Sequence, residues 1–308
     1  MRIGILGATS QIARDLTESL GAAGRHELYL YARQPAALKR PSSHPANAAV
    51  VHVGDYASFG SGQELDALIN CVGVGDPAAA ARMGADIFDV TLQFDQLALS
   101  YVRAHPRCRY IFLSSGAVYG THFLKPADRE TPAIVPINNL APQDWYGTAK
   151  LHAECRHRAH GSLPIIDVRL FNYFSARQDL SARFLICDAL RAIRDHTTLR
   201  ASAENIIRDY LHPSDFCSLI EALLTASPAN AVVDGYSRSP VDKFTLLTRM
   251  KDQFGLDFEC VEDMAGVNAT GTKPHYYSLN TRAAEFGYAP ALSSLEGVVR
   301  EATVLLGL

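Results

Sequence analysis

Apolar and polar positions alternate along the chain in two different patterns. Short, almost uninterrupted apolar runs predict buried β-strands, and six occur in the first 172 residues: RIGILGA, ELYLYAR, AVVHVGD, ALINCVGVG, RYIFLSSG and IIDVRLFN. After the first run, QIARDLTESLG carries Ile12, Leu16 and Leu20 on one helical stripe that we expect to end at Gly21. Strands separated by helices favour βαβ units and a parallel sheet covered on both faces. The pattern therefore predicts an α/β fold.

The rest of the chain is richer in helical patterns than in strands. DIFDVTLQFDQLALSYVRAH predicts one long helix, and another is expected over residues 146–160. Further along, SARFLICDALRAIRD and LHPSDFCSLIEALL predict two more helices, whereas the tail mixes short segments. The last third of the chain is therefore expected to differ in architecture from the first 172 residues.

The composition is that of an ordinary globular protein. The 308 residues are 48% apolar and 20% charged, and the formal net charge is −3. No basic excess indicates nucleic-acid binding, and no apolar run approaches the ~18 residues that a membrane span needs. The first residues, MRIGILGATS, do not have the form of a signal peptide. We therefore expect a cytoplasmic enzyme or binding protein without a nucleic-acid or membrane partner.

The cysteines and histidines show no metal-binding pattern. Six cysteines are scattered without a C-x-x-C pair, and we expect most of them to be core thiols. His152, His157 and His160 fall on one predicted helix, but the sequence contains no H-E-x-x-H motif. We interpret them as surface or core histidines, so no metal is expected.

The first predicted strand is followed directly by GATSQIA, which opens the first predicted helix. At such a position a glycine-rich turn lets a pyrophosphate approach the amide groups of a helix N-terminus. Gly7 occupies the first glycine position, whereas Ser10 and Ala13 stand where the second and third glycines are expected. Five more strand-like runs follow this turn. Together they predict a dinucleotide-binding fold, a Rossmann-type doubly wound parallel sheet.

The segment DWYGTAKLHAEC places Tyr146 and Lys150 four residues apart near the start of a predicted helix. Residues at this spacing share a helix face, and a solvated Tyr–Lys pair is one interpretation. The other is chemical: a nearby ammonium favours the phenolate and lowers the pKa of a tyrosine from about 10. The motif alone does not decide between them.

An ordered set of motifs resembles one family over nearly the whole chain. The set comprises GATSQIA, Gly54–Asp55 after the third strand, SSGAVYG at the end of the fifth, Tyr146 with Lys150, VRLFN and RDYLHPSD. In this order it resembles the extended short-chain dehydrogenase/reductases, the group of nucleotide-sugar epimerases, dehydratases and reductases. The resemblance favours the chemical interpretation of Tyr146 and Lys150.

The resemblance implies a role for each matching residue. Ser115 would hydrogen-bond the substrate carbonyl or alcohol, Tyr146 would exchange the proton, and Lys150 would hold the nicotinamide ribose and lower the pKa of Tyr146. A purely structural alternative for Ser115 is that its hydroxyl caps nearby backbone at the end of a strand. The implied cofactor contacts are Gly7, Thr9, Ser10, Gln11, Ile12, Arg33, Asp55, Val72, Tyr146 and Lys150.

Two departures from the family pattern narrow the chemistry. Relatives that eliminate water carry an Asp-Glu pair directly after the serine position, where this chain has Gly116 and Ala117. Relatives that epimerise C3 and C5 carry a cysteine two residues before Tyr119, which is again Ala117. Neither reaction is therefore expected. What remains is redox chemistry at one carbon: a ketoreductase, an alcohol dehydrogenase, or a C4 epimerase that oxidises and re-reduces its substrate.

The end of the second strand bears on the choice of cofactor. Family members that prefer NAD keep an acidic residue there for the adenosine ribose, whereas this chain has Ala32 and Arg33. A guanidinium pairs well with a 2′-phosphate, although Arg33 could equally be a solvated loop residue. We expect NADP, with NAD as the alternative. Because C4 epimerases usually retain NAD, this favours a net NADPH-dependent reduction.

For the substrate, Asn172 and Arg208 match positions that contact the sugar-nucleotide diphosphate in relatives. An ion pair of Arg208 with Asp209 or Asp215 is the structural alternative, and Lys273 stands about where many members have an arginine. The leading hypothesis is NADPH-dependent reduction of a keto group on a nucleotide-linked (deoxy)sugar. A C4 epimerase with retained NAD is second, and a non-catalytic NADP-binding regulator is third.

The motifs also suggest a domain division and an assembly. We expect a dinucleotide-binding domain over residues 1–172 with a return segment about 211–238. A smaller, partly interleaved C-terminal substrate lobe would comprise residues 173–210 and 239–308. Relatives pair two helices across a dimer axis, and apolar residues on the long helix suggest a second surface here: Phe88, Leu92, Leu97 and Tyr101. We therefore expect a homodimer.

Overall fold

A computed structural model of the chain describes residues 1–38, 49–62, 64–74, 80, 82–120, 123–262 and 273–308. Its main sheet contains β1 (Arg2–Leu6), β2 (Glu27–Tyr31), β3 (Val51–Gly54), β4 (Ala67–Asn70), β5 (Arg109–Ser115), β6 (Ile165–Leu170) and β11 (Ala231–Asp234). The strands are all parallel and lie in the order β3-β2-β1-β4-β5-β6-β11. The six predicted strands are confirmed, and the order is that of a Rossmann-type sheet with one further strand.

Helices cover both faces of this sheet. The longer α-helices of the described residues are α1 (Gln11–Ala23), α2 (Asp86–Ala104), α3 (Pro142–Ala159), α4 (Leu185–Asp195), α5 (Pro213–Thr225), α6 (Lys243–Phe254) and α7 (Ser294–Leu306). Apolar residues of α1 and α5 share one core with the sheet, and those of α2 and α3 share a second core on the other face. The fold is therefore α/β and doubly wound, as predicted.

Alternation along β5 shows how one strand serves both cores. Ile111 and Leu113 point to the core beneath α1 and α5, whereas Tyr110 and Phe112 point to the core beneath α2 and α3. All four side chains are buried. Successive side chains of a strand face opposite ways, so a strand buried on both faces reads as one continuous apolar run. This is why the strands were predictable from short runs rather than from alternation.

The later part of the chain builds smaller sheets. Its short strands are β7 (Asn172–Tyr173), β8 (Leu199–Ser202), β9 (Ile207–Arg208), β10 (Tyr210–Leu211), β12 (Val241–Asp242), β13 (Phe258–Val261) and β14 (His275–Tyr276). They form the pairs β10-β7 and β13-β8 and the three-stranded sheet β12-β9-β14. A separate apolar core lies between α4, α6 and α7. The proposed division into a cofactor domain and a substrate lobe stays a prediction.

Three details differ from the sequence prediction. Helix α1 does not end at Gly21, which is buried within the helix, but continues until Gly24 adopts a left-handed conformation with φ of 67°. The strand β11 was not predicted because its four residues, AVVD, are too short to show a periodic pattern. On α2, Tyr101 does not face outward but belongs to the core of its own chain, whereas Leu92 is 41% exposed.

The face of α3 that packs against the sheet is unusually polar. Lys150, Glu154 and His157 are buried there beside small residues such as Ala149 and Ala153. His157 is fully buried, and its two ring nitrogens lie 2.5 Å from Asp167 Oδ1 and 2.6 Å from Asp95 Oδ1. Buried charges require partners, so ion pairs fix the position of this helix where apolar contacts ordinarily would.

The buried His157 should make the stability of the fold depend on pH. Burial alone would lower the pKa of His157, but hydrogen bonds from its ring to Asp167 and Asp95 and the charges of these carboxylates raise it to about 9. The pKa of His157 in the folded protein lies above its ordinary value of 6.5. Its contribution to the free energy of unfolding is therefore complete below pH 6.5 and is lost as the pH rises through about 9. His157→Gln should therefore lower the free energy of unfolding by about 3 kcal/mol at pH 6 and by less at pH 9.

Urea unfolding at both pH values measures this difference. His152→Gln, an exposed histidine on the same helix, is the matched control and should leave the stability unchanged. An equal loss in His157→Gln at pH 6 and at pH 9 would contradict the assignment of a charged, carboxylate-bound His157.

Candidate active site

The carboxyl ends of the parallel strands define one edge of the main sheet. In sheets of this order, a ligand crevice forms where the strand order reverses, here between β1 and β4. Gly7 follows β1, Val72 lies just beyond β4, and Ser115 ends β5, so the three predicted site residues come to the same edge. The Val72 amide donates to Asn70 Oδ1 at 3.0 Å, which fixes the backbone after β4.

Gly7 allows the ends of the two central strands to approach each other. Its φ is +74°, and a Cβ at this position would lie 2.8 Å from the Cys71 carbonyl carbon and from the Val72 nitrogen. Its amide donates to the Tyr31 carbonyl at 3.1 Å and to the Tyr56 hydroxyl at 3.2 Å. Any side chain would both strain the turn and separate the strands, so glycine is required.

The start of α1 provides amide groups next to Gly7. Ser10 is the N-cap residue, and its hydroxyl accepts from the Ala13 amide. Among the described residues, no group accepts from the amides of Gln11 or Ile12, the first two of the helix. Such amides suit a phosphate. Thr9 is half-buried in the same turn.

Arg33 and Asp55 follow β2 and β3 at the same edge. Arg33 is exposed and forms no hydrogen bond or ion pair with any other described residue. Its charge lowers the pKa of Tyr56, which burial raises more strongly, so the guanidinium lies near the phenol that contacts Gly7. Asp55 Oδ1 accepts from the Ser58 amide at 2.9 Å. Arg33 is thus available for a ligand, whereas one Asp55 oxygen already stabilises a turn.

Ser115 forms the backbone cap that the sequence analysis gave as one of its two interpretations, and its role toward a substrate stays a prediction. Its hydroxyl accepts from the Ala117 amide at 3.2 Å and so caps the short helix Gly116–Tyr119. The hydroxyl of Tyr276 lies 3.4 Å from it. Tyr146 is also nearby: burial raises the pKa of its phenol, and Ser115 opposes this rise. The cap therefore holds the serine hydroxyl in place between two phenols.

The pKa of Tyr146 is not lowered, contrary to the expectation for a Tyr–Lys pair. Desolvation of the half-buried phenol raises it, the nearby Tyr276 adds to this, and the hydrogen bond with Ser115 opposes it. The ammonium of Lys150 lies 6.0 Å from the centre of the Tyr146 ring and donates to the Leu113 carbonyl at 2.8 Å. Tyr146 is therefore a protonated phenol at neutral pH.

Lys150 itself is almost completely buried, at 2% exposure. Burial lowers its pKa to about 8, although Asp95, Cys71, Glu154 and Asp167 favour the charged form. The ammonium also lies 4.4 Å from the centre of the Phe112 ring, a favourable cation–π position. At neutral pH the lysine is a cation held by the strand β5.

One turn after Lys150, Glu154 connects α3 to the next strand. Its carboxylate accepts from the Ser114 hydroxyl at 2.5 Å and from Arg169 of β6 at 2.5 Å. Arg169 in turn lies 4.0 Å from Asp234 at the end of β11. These polar contacts hold α3 against β5 and β6 near the edge that carries Ser115.

The candidate substrate residues form a second group around Tyr276. Arg208 donates to the carbonyls of Ile207 and Lys273, the latter at 2.6 Å, and its guanidinium lies 5.9 Å from the Tyr276 ring centre. The Lys273 ammonium lies 4.7 Å from the same ring. Asn172 donates to the Asp209 carbonyl at 3.1 Å and so holds the backbone beside Arg208. Two cations thus meet at one aromatic ring.

The expected alternative for Arg208, an ion pair with a neighbouring aspartate, does not occur. Asp209 accepts from the Ser237 amide and the Ser294 hydroxyl. Asp215 accepts from two backbone amides shortly before α7, those of Ala291 and Leu292. Burial lowers the pKa of Lys273 to about 8, and the charge of Arg208 contributes to this. The two cations therefore repel each other, and an anion between them would be favourable.

A dinucleotide fits these residues. The turn at Gly7 brings the ends of β1 and β4 together, and a Cβ at Gly73 would lie 3.3 Å from Lys150 Nζ, so backbone and lysine border one narrow space. The free amides at the start of α1 suit a pyrophosphate. Among the described residues, no cluster of three side chains could hold a metal ion, and no helix is long and apolar enough to cross a membrane.

Sequence and structure comparisons agree with this description. The model of the NAD dependent epimerase/dehydratase family matches residues 3–234, so the chain belongs to that family. It is an enzyme of the extended short-chain dehydrogenase/reductase type. No protein with a curated functional description matches the sequence.

Solved structures share the fold at low sequence identity. A UDP-glucose 4-epimerase from Thermotoga maritima with UDP-glucose has a TM-score of 0.80 at 16% identity, covering 98% of this chain and 97% of that one. A dTDP-glucose 4,6-dehydratase from Bacillus anthracis in complex with NAD has a TM-score of 0.77 at 18% identity, covering 98% of this chain and 96% of that one. A UDP-glucuronic acid 4-epimerase from Bacillus cereus, in complex with UDP-glucuronic acid and NAD, has a TM-score of 0.77 at 15% identity, covering 99% of each chain.

The sequence analysis missed several residues at this edge. Tyr276 was not predicted, because nothing in its local sequence pattern indicates contact with Ser115. Tyr56 reaches Gly7 across 49 positions. Glu154 was more accessible to prediction, since it follows Lys150 by four residues and shares its helix face. Contacts between distant segments depend on the tertiary fold and leave no local signal.

Proposed function

We propose that the protein uses NADPH to reduce a keto group on a nucleotide-linked (deoxy)sugar, with Tyr146 as the proton donor. The observation that carries this proposal is that Ser115, Tyr146 and Lys150 come together at the end of β5, with the Tyr146 phenol protonated. Beside Ser115, Gly116 and Ala117 offer no group that moves a proton. A phenol that is protonated at neutral pH can donate its proton to a developing alkoxide.

In this mechanism the bound NADPH supplies the hydride. The Ser115 hydroxyl orients the carbonyl oxygen of the substrate, and Tyr146 delivers its proton to that oxygen as the carbonyl carbon is reduced to an alcohol. The phenolate that remains regains its proton from solvent. Lys150, charged below about pH 8, would hold the ribose of the cofactor.

The cofactor proposal rests on the edge near Gly7. The free amides of Gln11 and Ile12 would bind the pyrophosphate, with Thr9 and Ser10 in the same turn. Val72 would pack against the cofactor beyond β4, and Asp55 would border the adenine side. Arg33, exposed and unpaired among the described residues, would bind a 2′-phosphate.

The substrate proposal rests on Arg208 and Lys273. Their two charges at the Tyr276 ring would bind a diphosphate, with Asn172 holding the adjacent backbone. The Tyr276 hydroxyl near Ser115 connects this anion site with the reaction site. A sugar attached to a diphosphate would span the two, which supports a nucleotide-sugar substrate.

The alternative is a nucleotide-sugar C4 epimerase that retains NAD. Its support is that two of the similar structures are 4-epimerases and that two of the three contain NAD. A non-catalytic NADP-binding regulator is less favoured because Ser115, Tyr146 and Lys150 are all present at one edge. Cytoplasmic location stays a prediction.

Identifying the bound nucleotide separates the two enzymatic functions. Denaturing the purified protein should release no stoichiometric NAD. The native protein should oxidise NADPH when given a dTDP- or UDP-linked 4-keto-6-deoxyhexose. Tyr146→Phe is the control, because it should still bind NADPH but lose about 10²–10⁴ in turnover. Tightly held NAD, together with interconversion of UDP-hexoses without net NADPH use, would instead establish the epimerase.

Arg33→Asp tests the cofactor preference. A carboxylate facing the 2′-phosphate should weaken NADPH binding roughly tenfold to hundredfold more than NADH binding, the range for a charged hydrogen bond. Fluorescence titration with both cofactors measures this. Arg107→Asp, with the same charge change at an exposed site before β5, should affect neither. Equal losses for NADPH and NADH in Arg33→Asp would refute the assignment.

We also propose a homodimer formed through α2 and α3, supported by the exposed Leu92 on α2 and by the family resemblance. Light scattering should give twice the 33.5 kDa chain mass. In a symmetric interface one charged substitution is repeated across the axis, so Leu92→Glu should give monomers. Leu124→Glu, at a residue 79% exposed elsewhere, should not. A monomeric wild type would exclude the dimer.

A further inference from the structure

The polar group around His157 extends well beyond that residue. Asp95 comes from α2 and Asp167 from β6, so the imidazole of α3 connects three elements. On the outer side, Arg156 donates to Asp95 Oδ2 at 2.6 Å and Arg158 donates to Asp167 Oδ2 at 2.8 Å. Every carboxylate oxygen in the group thus has a partner. The reaction described above uses none of these residues.

From Asp95 the hydrogen bonds continue to the crevice. The Tyr110 hydroxyl of β5 donates to Asp95 Oδ1 at 3.0 Å, and Asn70 Nδ2 at the end of β4 donates to that hydroxyl at 3.0 Å. Asn70 Oδ1 accepts from the Val72 amide at 3.0 Å. Tyr110 and Asp95 are fully buried, and Asn70 is 1% exposed. A chain of buried hydrogen bonds therefore runs from α3 to the backbone after β4.

Lys150 stands between the two ends of this chain. It lies on α3 two turns before His157, on the same sheet-facing side. Its Nζ is 3.3 Å from the position that a Cβ on Gly73 would take, directly after Val72. Hydrogen bonds thus join Val72 to His157, and helix α3 joins His157 to Lys150. We call this set of residues the buried circuit: Val72, Asn70, Tyr110, Asp95, His157 and Lys150.

We propose that Asp95, Tyr110 and His157 are positioning residues that fix the gap between the Lys150 ammonium and the Val72–Gly73 backbone. A buried chain of well-made hydrogen bonds has few alternative arrangements, so it rigidifies the elements that it connects. The consequence for the cofactor rests on the proposed function, in which Lys150 and Val72 contact the dinucleotide from the two sides of this gap. The position of Lys150 itself does not depend on that function.

Tyr110→Phe opens the buried circuit with the smallest change of shape, because it removes one hydroxyl. Tyr288→Phe is the matched control: Tyr288 is also buried, at 2% exposure, and its hydroxyl donates a single hydrogen bond to the Tyr236 carbonyl at 2.6 Å. Both variants should lower the melting temperature to a similar extent. Asp95→Asn weakens the neighbouring contacts of the circuit, those with Tyr110 and His157, with the same side-chain shape. It is a second test variant for use if Tyr110→Phe fails to fold.

The direct readout is the NMR signal of Lys150. The chain has six lysines, so labelling with ¹³C at the ε carbon gives few signals, and the spectrum of Lys150→Arg assigns the one of interest. This signal should move in Tyr110→Phe and in Asp95→Asn and should stay at the wild-type position in Tyr288→Phe. Loss of stability alone would not produce this difference. An unmoved signal in both circuit variants would overturn the proposal.

The functional readout is the affinity for NADPH. Tyr110→Phe should weaken it about tenfold, the size of one hydrogen bond's contribution, whereas Tyr288→Phe should leave it unchanged. If wild-type protein bound neither NADPH nor NAD, the proposed function would fail, but the Lys150 signal would still decide whether the buried circuit positions the lysine. Equal NADPH affinity in all variants, with a moved signal, would refute the consequence for the cofactor.

Discussion

The buried ammonium of Lys150 is the constraint on which the arrangement of the candidate active-site edge depends. A charge at 2% exposure is costly unless it is paired, and its direct partners are a strand carbonyl and an aromatic face. The carboxylates of Asp95, Glu154 and Asp167 favour its charged form from further away. Each of these carboxylates in turn has its own cation, which explains why the buried face of α3 is polar.

The same constraint links the fold to the chemistry. Tyr146 is four residues before Lys150, so the helix that places the lysine also sets the position of the phenol. Gly147 lets this helix approach the loop after β5, because a Cβ there would lie 2.5 Å from the Ala117 carbonyl oxygen. That loop is capped by Ser115. Serine and tyrosine therefore meet because two backbone segments pack without an intervening side chain.

Much of this could be predicted from the sequence, and the limits have a physical cause. Strands such as β5 are buried on both faces and read as apolar runs, and the turn at Gly7 follows the first run directly, so both were recognisable. The sheet-facing role of His157 was left open, since its partners Asp95 and Asp167 lie 62 and 10 positions away. The sequence predicted the residue types of the site but not the direction of the Tyr146 pKa, because desolvation depends on the packed structure.

The protonation state of Tyr146 bears on the direction of the reaction. Oxidation of an alcohol needs a base at this position, and reduction of a ketone needs an acid. An epimerase requires both in turn, with a phenol that readily exchanges its proton. Here burial and Tyr276 keep the proton on Tyr146, and Lys150 is turned toward Leu113. At neutral pH the phenol is therefore in the acid form with which the proposed reduction would begin.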